Sequence, residues 1–406
     1  MANVIASEST RQLQRAWSRY YASLETARLE IEASPHFAQA QHRAQGYYVL
    51  AEAQAMAYNW IIAPRLNHPR IFTHTAWISY LYGLPANCPD IIYSMLALDG
   101  RYRYRLKGRY GDLSLMLLQV FNGPMGIAST ECTGNYEYTA EETGGDEFEF
   151  ILSPEKQPGN WIPLDPTSRF NVIIFRRFLP DWNTDYGTLD IDTLDTVEDY
   201  DEASERDLAQ RLDWAADFLL ATLRNYAISL YEFVLNLTGQ RINVWGNIPG
   251  EQMASIAGSS TCSYSFLPYD ISEDEALLIE LDAPVGSIYW SFQLFDVWSK
   301  SLDFTHAQTD FNMLNAAIDD DNKVRAVLSL SDPGVANWLD PLGRAPGACV
   351  FCNYRAKTHV EPACRLVKLG ELNKNLPDCT ETVTLAERRA IVAKRRPAQL
   401  RLYGGW

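Results

Sequence analysis

The chain has 406 residues, 47% of them hydrophobic, and a formal net charge of −16. That is long and apolar enough for a substantial core in one large domain or several smaller ones. The acidic balance argues against a general nucleic-acid binder, which needs a basic face to displace counterions, and against attachment to anionic lipid.

No run of about 18 apolar residues occurs, so no membrane span is expected. The start, Met1 to Glu8, lacks the basic and apolar regions of a signal peptide, and seven cysteines are a sparse, odd set. Both suit a reducing cytoplasm. Charge is uneven: 181–218 is acidic, while Lys394, Arg395 and Arg396 make the end basic. A solvated tail or subunit contact is expected there.

Taken in order, residues 9–34 predict a helix capped by Ser9 or Thr10, with Leu13, Trp17, Tyr20, Tyr21, Leu24 and Leu29 on one face. A second helix is expected from Phe37 to Ile62, so that 1–66 forms a helical hairpin. Ile91–Leu98, Arg101–Lys107 and Leu113–Phe121 follow as strands separated by Asp99-Gly100 and Gly108 to Asp112. They read as an antiparallel meander. In the second of them Tyr102, Tyr104 and Leu106 alternate with Arg101, Arg103, Arg105 and Lys107, giving one apolar and one cationic face. Glu147–Leu152, Asn160–Leu164, Phe170–Phe178 and Tyr186–Leu194 complete a first β-sandwich region over 67–200.

A helical insertion is expected over 201–245, then a second β-sandwich region over 246–358 and a less periodic tail over 359–406 with a short helix near Thr384–Ala393. No exact internal repeat is visible. The fold class is a β-rich α+β protein, with an antiparallel jelly-roll or sandwich body.

Several phrases are distinctive. They are Cys88-Pro89-Asp90 with Leu98-Asp99-Gly100; Pro158 to Leu164 with Arg176, Arg177, Asp181 and Trp182; and Tyr289-Trp290-Ser291, Ser301-Leu302-Asp303, Gln308-Thr309 and Asn312. The last runs from Asp332 to Asp340 and contains Asn337-Trp338. Together they resemble the domain of unknown function 1214 family, often joined to domain 1254, over roughly 85–355. The resemblance implies jelly-roll domains, a tendency to oligomerise, and a loose association with lipid, steroid or aromatic metabolism. It supplies no settled reaction.

Candidate chemistry gathers at predicted strand ends. His306 with Asp303 can exchange protons near neutral pH, or can be a hydrogen-bonded loop pair. Arg176, Arg177 and Asp181 lie at a strand end with Trp182: the arginines can hold a carboxylate, sulfate or enolate oxygen, with Arg177 the choice for an oxyanion, or can pair internally with Asp181. Gln308, Asn312, Asn337, Asp303 and Asp340 line a polar pocket floor, or satisfy loop backbone. Tyr93, Trp161, Trp182, Trp290 and Trp298 are the candidate apolar walls.

Cys349, Cys352, Cys364 and Cys379 raise zinc. Cys349 and Cys352 are three apart on a strand, however, so they face opposite ways, and buried thiols are preferred. Asp319-Asp320-Asp321 reads as a hairpin tip rather than a metal cluster. No nucleophile elbow, phosphate loop, dinucleotide fingerprint or zinc-protease motif occurs. The expected function is therefore a cofactor-independent acid–base enzyme, a lyase, isomerase or hydrolase, acting on an apolar small molecule as a homo-oligomer. A non-catalytic binding or assembly protein is the rival, and a metalloenzyme the third reading.

Overall fold

The computed structural model describes residues 7–73, 87–197, 204–254, 258–358 and 360–403. The first six residues and 198–203, within the acidic stretch, lie outside them.

Helix α1 (Glu8–Ala33) is capped by Ser7, whose side chain accepts from Thr10 N–H at 3.1 Å. Its buried face is Ala16, Tyr20, Ser23, Ala27 and Ile31. Trp17 and Tyr21, expected inside, are 51% and 58% exposed. Small residues allow close approach, so α1 lies against the insertion helix α4 (Glu205–Thr222) on a face of alanines and Ser23 with Tyr20 as its one aromatic. Helix α2 (Ala40–Ala57) runs into a π-helical turn, Tyr58–Ile62. A Cβ on its Gly46 would meet Ile31 at 3.0 Å and Trp298 at 3.1 Å, so glycine brings α2 against both.

Strands β1 (Phe72–Thr73), β2 (Ile91–Leu98), β3 (Tyr104–Arg109), β4 (Leu115–Phe121) and β5 (Cys132–Tyr138) come next, then helix α3 (Ala140–Thr143). β6 (Glu147–Ser153), β7 (Trp161–Pro163), β8 (Asn171–Phe178) and β9 (Thr188–Thr193) follow. They form two sheets, ordered β1-β2-β8-β4-β5 and β7-β6-β3-β9. Consecutive strands β2, β3 and β4 therefore cross between sheets, as in a jelly roll, and are not a meander. The turn at Gly100 is tight: a Cβ there would stand 1.9 Å from Asp165 O. The predicted faces of β3 hold, with Tyr104 and Leu106 buried and Arg105 and Lys107 turned outward.

Helices α4 (Glu205–Thr222) and α5 (Ser229–Leu237), joined by a π-helical turn Leu223–Ile228, form the insertion. After β10 (Gly246–Ile248) and helix α6 (Gly250–Ala254) come β11 (Cys262–Tyr269), β12 (Glu275–Asp282), β13 (Tyr289–Asp296) and β14 (Asp310–Asn312). β15 (Lys323–Ser329), β16 (Trp338–Leu339), β17 (Gly347–Tyr354) and β18 (Ala363–Lys368) complete the strands. Their sheets are ordered β10-β11-β17-β13-β14 and β16-β15-β12-β18. Residues 319–323 do form a tight turn, with Asp319 N–H donating to Lys323 O at 2.9 Å, but β14 and β15 belong to different sheets, so it is not the tip of a hairpin.

Adding nine to each strand number of the first pair of sheets reproduces the second pair. The two sandwiches are thus topological copies. Details repeat too. Tyr93 accepts at its phenol oxygen from Cys88 N–H at 3.1 Å, and Tyr264 from Ser259 N–H at 2.9 Å, each five residues back. Trp161 Nε1 donates to Ser153 O at 3.3 Å, and Trp338 Nε1 to Ser329 O at 3.0 Å. Asn160 and Asn337 each donate from Nδ2 to the neighbouring strand, at Glu149 O and Arg325 O. The repeat lies in structure, and few residue identities carry it.

The tail is ordered around α7 (Leu372–Asn375) and α8 (Leu385–Tyr403). α8 is longer than predicted. Its Arg388 and Arg395 are buried, so the basic end is no solvated tail, although Lys394 and Arg396 do face outward. Each sandwich has its own apolar core. A third core joins α1, α2, α4 and α5 to the outward faces of the two five-stranded sheets, which look at one another.

Candidate functional site

The middle layer between the five-stranded sheets is the unusual part of the molecule. Side chains alternate along a strand. On β8, Val172, Ile174 and Phe178 join the middle core while Ile173 and Phe175 join the first sandwich's core. The same alternation puts Arg176 in the middle layer and Arg177 on the other face. Phe178 packs across the layer on Tyr289 and Tyr354, at centroid distances of 5.4 and 4.8 Å.

Polar groups gather around that contact. Arg176 Nη1 donates to Gln119 Oε1 at 2.5 Å, and Gln119 Nε2 donates to Gly258 O at 3.0 Å. The Arg176 guanidinium also lies 5.9 Å from the centre of the Tyr93 ring. Tyr264 and Tyr354 exchange a hydrogen bond at 3.2 Å, and Cys88 Sγ and Tyr289 OH another at 3.2 Å. Burial drives the phenols of Tyr93, Tyr226, Tyr264, Tyr289 and Tyr354 above the ordinary tyrosine range, so at neutral pH they are uncharged. The Cys352 thiol is raised by its hydrogen bond with Cys262 and by burial.

Arg176 stands on the central strand of one sheet and Cys352 at the corresponding place of the other, yet both are only half-buried, as is Tyr226. Central strands inside a layer of protein retain surface only where space lies beside them. Asn135, opposite Gln119, has both amide atoms buried without a partner. Ser291 Oγ and Gln293 Oε1, on the Tyr289 side of β13, are likewise unpartnered. Native proteins rarely leave such groups unmatched.

Beside this layer Asp90 ties the two sandwiches together. Its Oδ1 accepts from Trp182 Nε1 at 2.7 Å; its Oδ2 accepts from Tyr289 OH at 2.6 Å and Asn312 Nδ2 at 2.8 Å. Asp310 lies nearby, paired with Arg395 of α8, which stacks 4.7 Å from the Trp182 ring centre. Burial, with the charge of Asp90 added to it, pushes the Asp310 carboxyl up to about 7 despite Arg395.

Of the residues singled out by sequence, Tyr93 enters the middle layer, and Trp182 and Asn312 meet at Asp90. Trp298 shares the third core with Tyr93 but lies under α2, and the other aromatics lie elsewhere. Trp161 belongs to β7, Trp290 to the second sandwich core, and Trp298 donates to His42 O at 2.8 Å under α2. A common wall of Trp161, Trp182, Trp290, Trp298 and Tyr93 therefore does not exist.

Arg177 donates to Tyr186 O at 3.2 Å, away from the layer, and Asp181 accepts from Asn183 N–H in a surface turn. Asp303 and His306 do pair at 2.8 Å, but on the surface, where Asp303 also accepts from Thr305 and His306 N–H. Gln308 donates to Ala336 O and Trp338 O, Asn337 to Ala317 O and Arg325 O, and Asp340 accepts from Leu342 N–H. These three satisfy loop backbone.

Sequence reading singled out Arg176 and Arg177 together and chose Arg177; it missed Gln119, Asp90, Asn135 and Tyr289 as site residues. The two-residue period along β8 separates Arg176 from Arg177 and was the available signal. Asn135 lies on a strand whose polar sequence conceals it.

Cys349 faces the second sandwich core and Cys352 the middle layer, as their spacing requires. Cys364 Sγ instead contacts Asn243 O at 3.3 Å, so the four thiols form no single site. Among the described residues, Asp319, Asp321 and Cys379 bring ligand atoms within 4.8 Å of one another. Arg325 already occupies them, at 2.6 Å from Asp319 and 2.5 Å from Asp321. We expect Arg325→Met to destabilise the fold by about 3–5 kcal/mol in urea denaturation, because Asp319 is left buried and uncompensated. A loss below about 1 kcal/mol would show that the cluster is not a structural ion pair.

No family model and no curated protein matches the chain. Among solved structures, the chain is similar to an uncharacterized protein from Burkholderia cenocepacia. The TM-score is 0.79 at 22% identity, covering 89% of this chain and 99% of that one. This establishes a shared fold. The VPA0106 protein from Vibrio parahaemolyticus matches at 12% identity and a TM-score of 0.45, over 79% of this chain and 98% of that one. Among the described residues, no helix is long and apolar enough to cross a membrane.

Proposed function

We propose that the protein takes a small apolar molecule, of lipid, steroid, terpenoid or aromatic type, into the layer between its two sandwiches. There it acts as a cofactor-independent acid–base catalyst. The observation that carries this reading is the accessible surface kept by Arg176 and Cys352 at the centres of facing sheets. The Arg176 guanidinium would steady a developing oxyanion, and the neutral phenols of Tyr93 and Tyr226 would donate protons. Lyase, isomerase and hydrolase steps are all open to such a set.

A non-catalytic carrier is the second reading. It is favoured by the raised phenols, which are weak acids, and by Asp90, whose oxygens already accept three hydrogen bonds. Membership of the domain of unknown function 1214 family is part of the proposal, on the phrases quoted above, as are a cytoplasmic location and a homo-oligomer. The exposed Trp17, Tyr21, Tyr47, Tyr48 and Tyr58 of the first helices and the turn after them support self-association.

The test is isothermal titration calorimetry with 1-decanol, a neutral apolar probe. It should bind to the unaltered protein, and Cys352→Trp, which fills the space beside that central strand, should abolish the binding. If the alcohol does not bind, or binds the variant equally well, there is no middle-layer site for an apolar molecule.

A further inference from the structure

We propose that two copies of the chain pair through the outward face of α2, antiparallel, with Ala51 of each copy on a twofold axis. This rests on the self-association reading given above and deepens it to one surface and one geometry.

A helix on the surface of an acidic protein should turn charge outward. α2 does not. Its buried side is His42, Gly46, Val49, Ala53, Met56 and Ala57. On the opposite side Tyr47, Tyr48 and, just past the helix end, Tyr58 are 45%, 63% and 55% exposed. Ala44, Ala51 and Gln54 are exposed between them, with Ala55 half-buried. From Ala44 to Tyr58 the one charged residue is Glu52, and Lys300 neutralises it. Arg43, at the edge, donates to Phe37 O at 3.0 Å and Ala38 O at 2.9 Å. Tyrosine without charge is the composition of an interface core. Two of the rings are already held: Tyr47 OH donates to Glu32 at 2.6 Å, and the Lys300 ammonium lies 5.7 Å from the centre of the Tyr48 ring. Side chains fixed beforehand lose little freedom on association.

Charge selects the partner. This face carries no ion that awaits a counter-charge, so a nucleic acid, an anionic lipid or a charged peptide has nothing to pair with there. Two copies carrying −16 each repel one another, and least where the touching faces bear no ion.

Size makes the face complementary to itself. In a twofold pair, residue i meets j and j meets i. Ala51 is the middle of the outward stripe, which extends seven residues either way, to Ala44 and to Tyr58. With two such helices antiparallel about Ala51, Tyr58 of one copy comes beside Ala44 of the other. Tyr48 comes beside Ala55, Tyr47 beside Gln54, and Ala51 meets its own image. Every tyrosine faces a smaller side chain. A parallel pair would instead set each tyrosine against its own image and each alanine against an alanine.

The experiment is sedimentation velocity of the full chain at about 10 μM. The unaltered protein should sediment as a dimer or a larger even-numbered assembly. Ala51→Glu and Ala51→Arg each bring two like charges together on the axis, and each should halve that mass. Both place a good helix former at an exposed position, so the fold should hold. An equimolar mixture of the two variants should recover the unaltered mass, because position 51 meets its own image. If the unaltered protein is a monomer, the interface and the self-association reading are both overturned, and the face belongs to a partner of another kind. If it is an oligomer that neither variant dissociates, self-association stands and this interface is overturned. Dissociation without recovery in the mixture overturns the antiparallel pairing on Ala51.

Discussion

Asp90→Ala should be among the most damaging single substitutions in the chain, with an expected loss of about 3–5 kcal/mol in denaturant unfolding. The carboxylate is 2% exposed and accepts from Trp182, Tyr289 and Asn312. Trp182 comes from the first sandwich, while Tyr289 and Asn312 come from the second. Removing the acceptor strands three donors where water does not reach, each with its own desolvation cost. Asp90→Asn restores one oxygen acceptor but points an amide at donors, so it should recover only part of the loss. Tyr289 would then lose its anchor, and the damage should extend to the Tyr289–Cys88 contact in the middle layer. A loss below about 1 kcal/mol for Asp90→Ala would mean that the sandwiches are held together by apolar packing alone.

Arg395→Ala should cost a comparable amount, about 3–5 kcal/mol, for a different reason: it leaves Asp310 buried without its counter-charge. Here pH supplies a second readout. The folded Asp310 carboxyl is raised to about 7 from an ordinary value of 3.8. Between those values the folded state retains a proton that the unfolded state releases. Its contribution to stability therefore falls as pH rises from about 4 to about 7, then levels off. Asp310→Asn removes this dependence. Measured as Tm against pH, the variant should gain on the unaltered protein across that window and run parallel to it above. Parallel curves throughout would show that Asp310 is not protonated in the folded state at mild pH. In Arg395→Ala the carboxyl should rise further, carrying the loss of stability to higher pH.

Much of the fold is legible because β-strands with one buried face write themselves in a two-residue period. The faces of β3 show this, and Ile91–Leu98, buried on both faces, reads instead as an apolar run of strand length whose predicted bounds are those observed. Sheet membership is not legible in that way. Asp99-Gly100 looks like a hairpin turn whether the next strand pairs beside β2 or crosses to the facing sheet, and here it crosses. β5 and β18 escaped notice because edge strands with exposed faces, such as Cys132–Tyr138, do not have to alternate.

The site was read less well for a related cause. Aromatic and charged residues clustered in sequence, such as Ser287 to Asp340, were divided by the sheets among separate cores. The residues that do converge, Tyr93, Gln119, Arg176 and Tyr289, come from strands far apart in the chain, and only three-dimensional pairing brings them together.

The equivalence of the two sandwiches has a consequence for concentration. Two separate sandwich proteins meeting face to face would have to find each other in solution, and their shared core would come apart on dilution. Here one peptide chain, passing through α4 and α5, supplies both partners, so their encounter is intramolecular and its strength does not depend on how much protein is present. Fusion also releases the halves from symmetry. A true twofold dimer that acquires an arginine acquires it twice, with two like charges facing one layer. A tandem chain can set Arg176 on one sheet against Cys352 at the corresponding place of the other, so that only one side of the layer is charged.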